Sequence, residues 1–271
     1  MPGESMSYNY LENYITQLQS KGRYSFTLRE LESAFPKEKS ALHMALGRLT
    51  RKQRVTRICK GFYIVIPAEY RASGVLPPSF FINDLMNHLN RAYYVGLISA
   101  AALHGAAHQQ PQVFQVIIKP PQIRPIKTAG VKISFILKKN FPSSGIIQKK
   151  TDTGYINISN PVMTALDLVQ FQRQSGGFAR VLEILQELAE TFNHFVLEQA
   201  LQNTWPTTVL QRFGYVCEHF LNLTVYAEPV YSKLKSDKMH PTRLSLANSS
   251  RSGIIDKKWG IIKNDELGAA F

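Results

Sequence analysis

Two histidines four residues apart, His104 and His108, have the spacing that can hold a metal ion when both lie on one helix face. Gly105 falls between them and no glutamate follows the first, so the rest of a zinc-hydrolase motif is missing. His104 reads instead as a helix-end residue whose ring can meet the last free carbonyls. Asp167 and Arg212 are the polar members of two otherwise apolar helical stretches, and they are expected to meet as a buried structural pair. Gly176-Gly177 follows Ser175 without a downstream Lys-Ser or Lys-Thr and reads as a helix break rather than a phosphate loop. No Gly-x-Ser-x-Gly elbow occurs. Asp256-Lys257-Lys258 has the acid-then-lysine order of metal-dependent nucleases, but without a partner acid at a usable spacing it reads as a charged turn. Cys59 and Cys217 lie far apart, which suggests neither a disulfide nor a zinc site. These residues supply no catalytic site, no metal site and no cofactor, and the expectation is a binding protein rather than an enzyme.

The charge points to what is bound. The 271 residues carry 32 Lys and Arg against 19 Asp and Glu, a formal charge of +13 that favours polyanionic partners. Eleven of the basic side chains fall between Lys21 and Lys60, where the acids are Glu30, Glu32 and Glu38. Three helices are predicted to position them. Leu11, Tyr14, Ile15 and Leu18 recur at helical spacing until Gly22. Thr27-Leu-Arg-Glu30 is a capping box that starts a second, short helix, ended by Pro36. A third helix over residues 37–52 has Leu42, Ala45, Leu46 and Leu49 on one stripe and Ser40, Met44, Gly47 and Arg51 on the other. Residues 55–66 then read as two strands around Lys60-Gly61, where glycine takes the positive φ of a tight turn. Helices followed by a basic hairpin give the order of a winged helix-turn-helix, with the third helix in the major groove and the wing on the backbone. The candidate DNA contacts are Lys37, Lys39, Ser40, His43, Met44, Arg48, Arg51 and Lys52 on or beside that helix, and Arg54, Arg57 and Lys60 on the hairpin. The same elements can also form a protein-binding module with an ordinary solvated basic face.

Residues 68–78 hold Gly74, Pro77 and Pro78 and read as a linker between a domain at 8–68, expected to close its own core, and a second at 76–271. In the second, a small-residue helix over 92–105 precedes strands at 113–119 and 131–137 and a hairpin over 145–159. Asn160-Pro161 then opens a series of helices reaching residue 221, after which short strand-like pieces are expected. Strands followed by helices without regular alternation argue an α+β class, an N-terminal winged helix-turn-helix followed by a mixed α/β C-terminal domain. No apolar run is long enough for a membrane span and no signal peptide opens the chain, so the expectation is cytoplasmic, with no membrane partner.

With these motifs in order, the sequence resembles the AbiEi-type antitoxins of type IV toxin-antitoxin systems, a family associated with abortive phage infection. The resemblance rests on the Gly-Phe-Tyr-Ile strand at 61–64, Tyr93-Tyr94 leading to Ser99-Ala-Ala-Ala-Leu-His-Gly105, and Ile158-Ser-Asn-Pro-Val-Met-Thr-Ala-Leu-Asp167. It continues in Arg212-Phe-Gly-Tyr215, Lys258-Trp259 and Asn264, and the chain departs from the family pattern around Val162–Ala165. The resemblance implies a repressor of its own operon that binds double-stranded promoter DNA through the N-terminal domain. It implies that the C-terminal domain counters a nucleotidyltransferase-like toxin, with or without stable contact, and that His104, Asp167 and Arg212 belong to that domain's motifs. Two other readings stand beside it: a toxin-independent transcription regulator with a ligand-sensing second domain, and a DNA nuclease targeted by the winged helix. Operator sequence and self-association on DNA stay open.

Overall fold

The computed structural model describes residues 3–36, 39–71, 76–106, 111–128, 130–235, 237–250 and 252–264, without the side chains of residues 3–9 and 39. Helix α1 (Gly3–Ser20) buries Leu11, Ile15 and Leu18, the apolar stripe its spacing predicts. Strand β1 (Ser25–Thr27) follows and runs straight into α2 (Leu28–Ala34), where the capping box forms as expected. The Glu30 amide donates to Thr27 Oγ1 at 3.1 Å and the Thr27 amide to Glu30 Oε2 at 2.7 Å. Partial burial pushes the Glu30 carboxyl up, but the Thr27 amide and the Arg23 guanidinium outweigh it and hold the group below the usual carboxylate range. Helix α3 (Lys39–Arg51) packs Leu42, Ala45, Leu46 and Leu49 onto α1 and α2. The hairpin of β2 (Val55–Cys59) and β3 (Phe62–Val65) turns at Lys60-Gly61, with Gly61 at φ +76°, and joins β1 in a sheet of order β1-β3-β2.

All four residues of β3 are buried because both faces of this sheet are covered. Tyr63, Val65 and Val55 point into the helical core. Ile58, Phe62, Ile64 and Ile66 point the other way, into a second core built with residues from 76 onward. The segment 8–68 thus encloses one core of its own and also lends the outer face of its hairpin to a second. Its hairpin serves two cores, and helix α4 (Ile82–His88) is fastened to it. Ser25 Oγ donates to Asp84 Oδ2 at 2.5 Å, His88 Nε2 to the Lys60 carbonyl at 3.0 Å, and Phe80 and Phe81 meet Tyr24 and Phe62 ring to ring.

A six-stranded mixed sheet forms the middle of the molecule. After β4 (Tyr93–Val95) comes α5 (Leu97–Leu103), then β5 (Phe114–Ile118), β6 (Ile126–Thr128), β7 (Val131–Leu137), β8 (Ile146–Thr151) and β9 (Gly154–Ser159), in the order β6-β7-β5-β4-β9-β8. The period of two sends Tyr93, Val95, Val116, Ile118, Ile133 and Phe135 toward the hairpin and α4, and Tyr94, Ile117 and Ile136 toward the helices on the opposite face. Residues 93–95 thus form a central strand, not the start of the predicted helix: two tyrosines and a valine fill the pleated core, and the helix begins only after Gly96.

The opposite face is covered by α6 (Pro161–Gln170), α7 (Phe178–Ala189), α8 (His194–Leu201), α9 (Thr207–His219) and α10 (Thr224–Leu234). Asn160 caps α6 as expected, its side chain accepting from the Met163 amide at 2.8 Å. Helix α10 stands where only short strand-like pieces were expected. Pro229 inside it disguises the helical pattern in the sequence. Strands β10 (Thr242–Arg243), β11 (Ile255–Asp256) and β12 (Ile261–Ile262) close the chain as a small sheet, order β10-β12-β11. No helix among the described residues is long and apolar enough to cross a membrane.

Candidate nucleic-acid interface and the polar core of the second domain

Burying the apolar stripe of α3 leaves Ser40, His43, Met44 and Arg51 exposed on its outer side, with Gly47 half-buried between them. Helix α3 contains no acidic residue. Met44 is 54% exposed, a large apolar side chain on a polar helix face. The other candidates separate into groups. Arg54 is committed to α1, its Nη1 lying 2.6 Å from Glu12 Oε1, and so holds the end of α3 rather than standing free for a phosphate. His43 Nε2 lies 3.5 Å from Glu32 Oε1 of α2. Arg48 and Lys52 each interact with another group of the chain. Arg57 donates Nε to the Cys59 carbonyl at 3.2 Å and stays exposed, as does the Lys60 side chain at the hairpin tip. Lys37 lies outside the described residues, and of Lys39 only the backbone is described. A cavity of about 440 Å³ lies elsewhere, bordered by Tyr70, Pro77, Phe80, Leu103, Phe114 and Lys132.

The second domain does not bring Asp167 and Arg212 together. Asp167, wholly buried on α6, pairs instead with Lys138 just past β7, Oδ1 to Nζ 2.6 Å, and accepts a hydrogen bond from Tyr94 Oη at 2.9 Å. The Lys138 ammonium also stands 3.6 Å from the Trp205 ring centroid. Burial pushes the Asp167 carboxyl up and the Lys138 ammonium down, and their mutual attraction opposes both shifts. Arg212 binds backbone and a hydroxyl: Nε to the Arg243 carbonyl at 2.6 Å, Nη1 to the Thr208 carbonyl at 3.2 Å and Nη2 to Thr242 Oγ1 at 2.8 Å. Burial, with Arg243 nearby, lowers it to about 10. It ties β10 to α9 without a carboxylate. His104 follows α5, yet its Nε2 reaches the Ser159 carbonyl of β9 at 2.7 Å rather than the carbonyls of its own helix. Burial pushes its imidazole below the ordinary value, Lys149 adding to the effect and the Ser159 hydrogen bond opposing it. His108, its expected metal partner, lies outside the described residues. Among the described residues no three His, Cys, Asp or Glu side chains are grouped to hold a metal.

Residues 94–219, from β4 to the end of α9, match the family model of the AbiEi antitoxin C-terminal domain. Over this segment the resemblance to the AbiEi antitoxins is shown. The match supports an antitoxin role. No curated protein matches the sequence. Among solved structures the chain is similar to the RV2827C protein from Mycobacterium tuberculosis, with 15% identity, a TM-score of 0.64 and coverage of 97% of this chain and 94% of that one, a likeness of fold.

The motifs that carry the resemblance prove to be joints of the fold. Tyr94 and Asp167, from two separate motifs, are hydrogen-bonded to each other. Gly214 lets Trp259 pack closely against α9, for a Cβ there would sit 2.0 Å from the indole ring. The Trp259 Nε1 donates to Glu218 Oε2 at 2.6 Å, and Lys258 bridges Glu218 and Glu228 at 2.9 and 3.0 Å. Asn264 exchanges two hydrogen bonds with the Ser245 backbone, each 3.0 Å. Sequence reasoning missed Lys138 and Glu12. Each is remote in sequence from its partner and lacks a local signal.

Proposed function

We propose that residues 8–68 are a winged helix-turn-helix that binds double-stranded promoter DNA of the chain's own operon, and that the domain matched at 94–219 counters a nucleotidyltransferase-like toxin. One observation carries the DNA reading: the element order α1-β1-α2-α3-β2-β3, with sheet order β1-β3-β2, leaves the acid-free outer face of α3 exposed. In this arrangement α3 enters the major groove, where Arg51 and Ser40 reach base edges, while Arg57 and Lys60 meet phosphates. One bidentate arginine contact discriminates by about 1–3 kcal/mol. Salt titrations on operator and scrambled duplexes test this. Arg51→Ala is expected to narrow the gap between the two duplexes, and Lys60→Ala to weaken both equally and lower the salt slope by about one. Wild-type affinity in both variants would remove α3 and the wing from the DNA interface.

The toxin reading is supported by the family match at 94–219 and is tested by growth rescue when the chain is expressed with its neighbouring toxin gene. The 440 Å³ cavity favours a second reading, a regulator whose second domain senses a small ligand. Failure to rescue growth, with ligand-dependent release of DNA, would put that reading first.

A further inference from the structure

The tip of the β2–β3 hairpin is a two-residue loop, Lys60-Gly61, closed by the pair Cys59 and Phe62. Two-residue loops that follow the twist of their strands need a positive φ at the first loop residue. Here only the second, Gly61, has one. A register shift between Arg57 and Cys59 also breaks the ladder just before the loop. The loop thus does not set its own geometry, and two neighbours hold it. The Leu28 amide, at the start of α2, donates to the Gly61 carbonyl at 2.8 Å. His88, at the end of α4, donates Nε2 to the Lys60 carbonyl at 3.0 Å, and its ring lies against Phe62 with centroids 5.4 Å apart. The Cys59 thiol, 4.0 Å from the same carbonyl, is a weaker donor.

The direction of the Lys60 carbonyl decides what the tip presents. The peptide between Lys60 and Gly61 is trans and planar, so its N–H points opposite to its C=O. With the carbonyl turned onto His88, the Gly61 amide points away from α4, and it has no hydrogen-bond partner among the described residues. The Lys60 side chain beside it is exposed, with no ion pair among the described residues. The carboxylates of the two helices that hold the tip are engaged elsewhere: Glu30 with Arg23 and Thr27, Glu32 with His43, and Asp84 with Ser25. A free amide next to a free cationic side chain is the pair of donors that a backbone phosphate accepts from.

We propose that the Gly61 amide and the Lys60 side chain grip one DNA phosphate at the wing tip, and that His88, from outside the DNA-reading segment, is the positioning residue that aims them. This rests on the winged-helix reading above. The grip carries no base information.

The test uses the full chain, with His88→Ala and His88→Gln measured on operator and scrambled duplexes across salt. Both variants lose the imidazole, but glutamine keeps an N–H donor at similar reach. His88→Gln should bind like wild type. His88→Ala should lower the salt slope toward that of Lys60→Ala, by about 0.9 for one phosphate, so its affinity gap to wild type should shrink roughly threefold between about 50 and 200 mM salt. The ratio of operator to scrambled affinity should not change. Lys60→Ala should add little to His88→Ala, since both act through one contact. In the wild-type chain labelled at its glycine nitrogens, the Gly61 amide resonance should shift when scrambled duplex is added, which a merely structural role for His88 would not require. A Gly61 resonance that stays in place would overturn this proposal, as would a wild-type slope in His88→Ala while Lys60→Ala still lowers it. Equal losses in the alanine and glutamine variants would overturn it too, because the N–H donor would then not matter. In these three cases the contribution of Arg51 and α3 stands. Absence of duplex binding by the wild-type chain would instead overturn the reading beneath.

Discussion

Lys138→Met removes the one cation facing a carboxylate that is wholly buried. Asp167 would keep only the Tyr94 hydroxyl, and no solvent reaches it to replace the lost ammonium. Removing one member of a buried pair typically costs about 3–5 kcal/mol, most of it the desolvation penalty of the abandoned charge. The 2.6 Å separation and the exposures of 4% and 0% place this pair at the full end of that range. For a chain of this size the loss corresponds to a fall in Tm on the order of 10 °C. Lys138→Met/Asp167→Leu should recover most of it, because taking away both charges leaves nothing to solvate. Urea unfolding followed by tryptophan fluorescence suits the test, since Trp205 stacks on Lys138 and reports the pair directly. The pair lies on the sheet face away from the hairpin, so the folded Lys138→Met chain should bind duplex DNA as wild type does. A loss under about 1 kcal/mol, or a double variant as damaged as the sum of the singles, would refute the assignment of Asp167 and Lys138 as an energetically coupled pair.

Gly214→Ala puts a methyl group about 2.0 Å from the Trp259 ring, which cannot yield as a flexible chain would. A loss of about 1–3 kcal/mol in urea is expected despite the better helix propensity of alanine. His104 is held neutral in the fold, so the unfolded chain binds more protons as pH falls below the ordinary imidazole value of 6.5. Its contribution is fully present above that pH and is lost below it; His104→Asn should flatten the pH dependence of the urea midpoint between about pH 7 and 5. Segment 8–68 expressed alone bares Ile58, Phe62, Ile64 and Ile66, each worth roughly 1.5–3 kcal/mol when buried. It should be molten or aggregated by circular dichroism and light scattering, and a cooperative, monomeric fold would show that the hairpin needs only one core.

What the sequence disclosed was local. The Thr27 capping box, the Asn160-Pro161 start and the hairpin at Lys60-Gly61 are settled by neighbours a few residues apart, and all three form as expected. Tyr93–Val95 was hidden by the alanines after it, and α10 by Pro229, because in each case tertiary packing overrides the local pattern. The polar core was readable only in part. Asp167 stands out as a charge on an apolar helix, yet its partner sits 29 residues earlier, past the end of a strand, where nothing in the local spacing favours Lys138 over Lys139. The exposed face of α3 followed from its period, while the commitment of Arg54 to Glu12, 42 residues away, did not.

The hairpin that is buried on both sides also bears on how such a protein can change over generations. Its inner side must suit α1 and α3, and its outer side must suit α4 and the central sheet. A foreign N-terminal segment spliced in at residues 68–76 would arrive with a mismatched outer face, so a recombinant joined there should misfold unless Ile58, Phe62, Ile64 and Ile66 are carried over. On the DNA reading proposed above, new operators are therefore easier to reach by single substitutions on the outer stripe of α3, which touches neither core, than by exchange of whole modules.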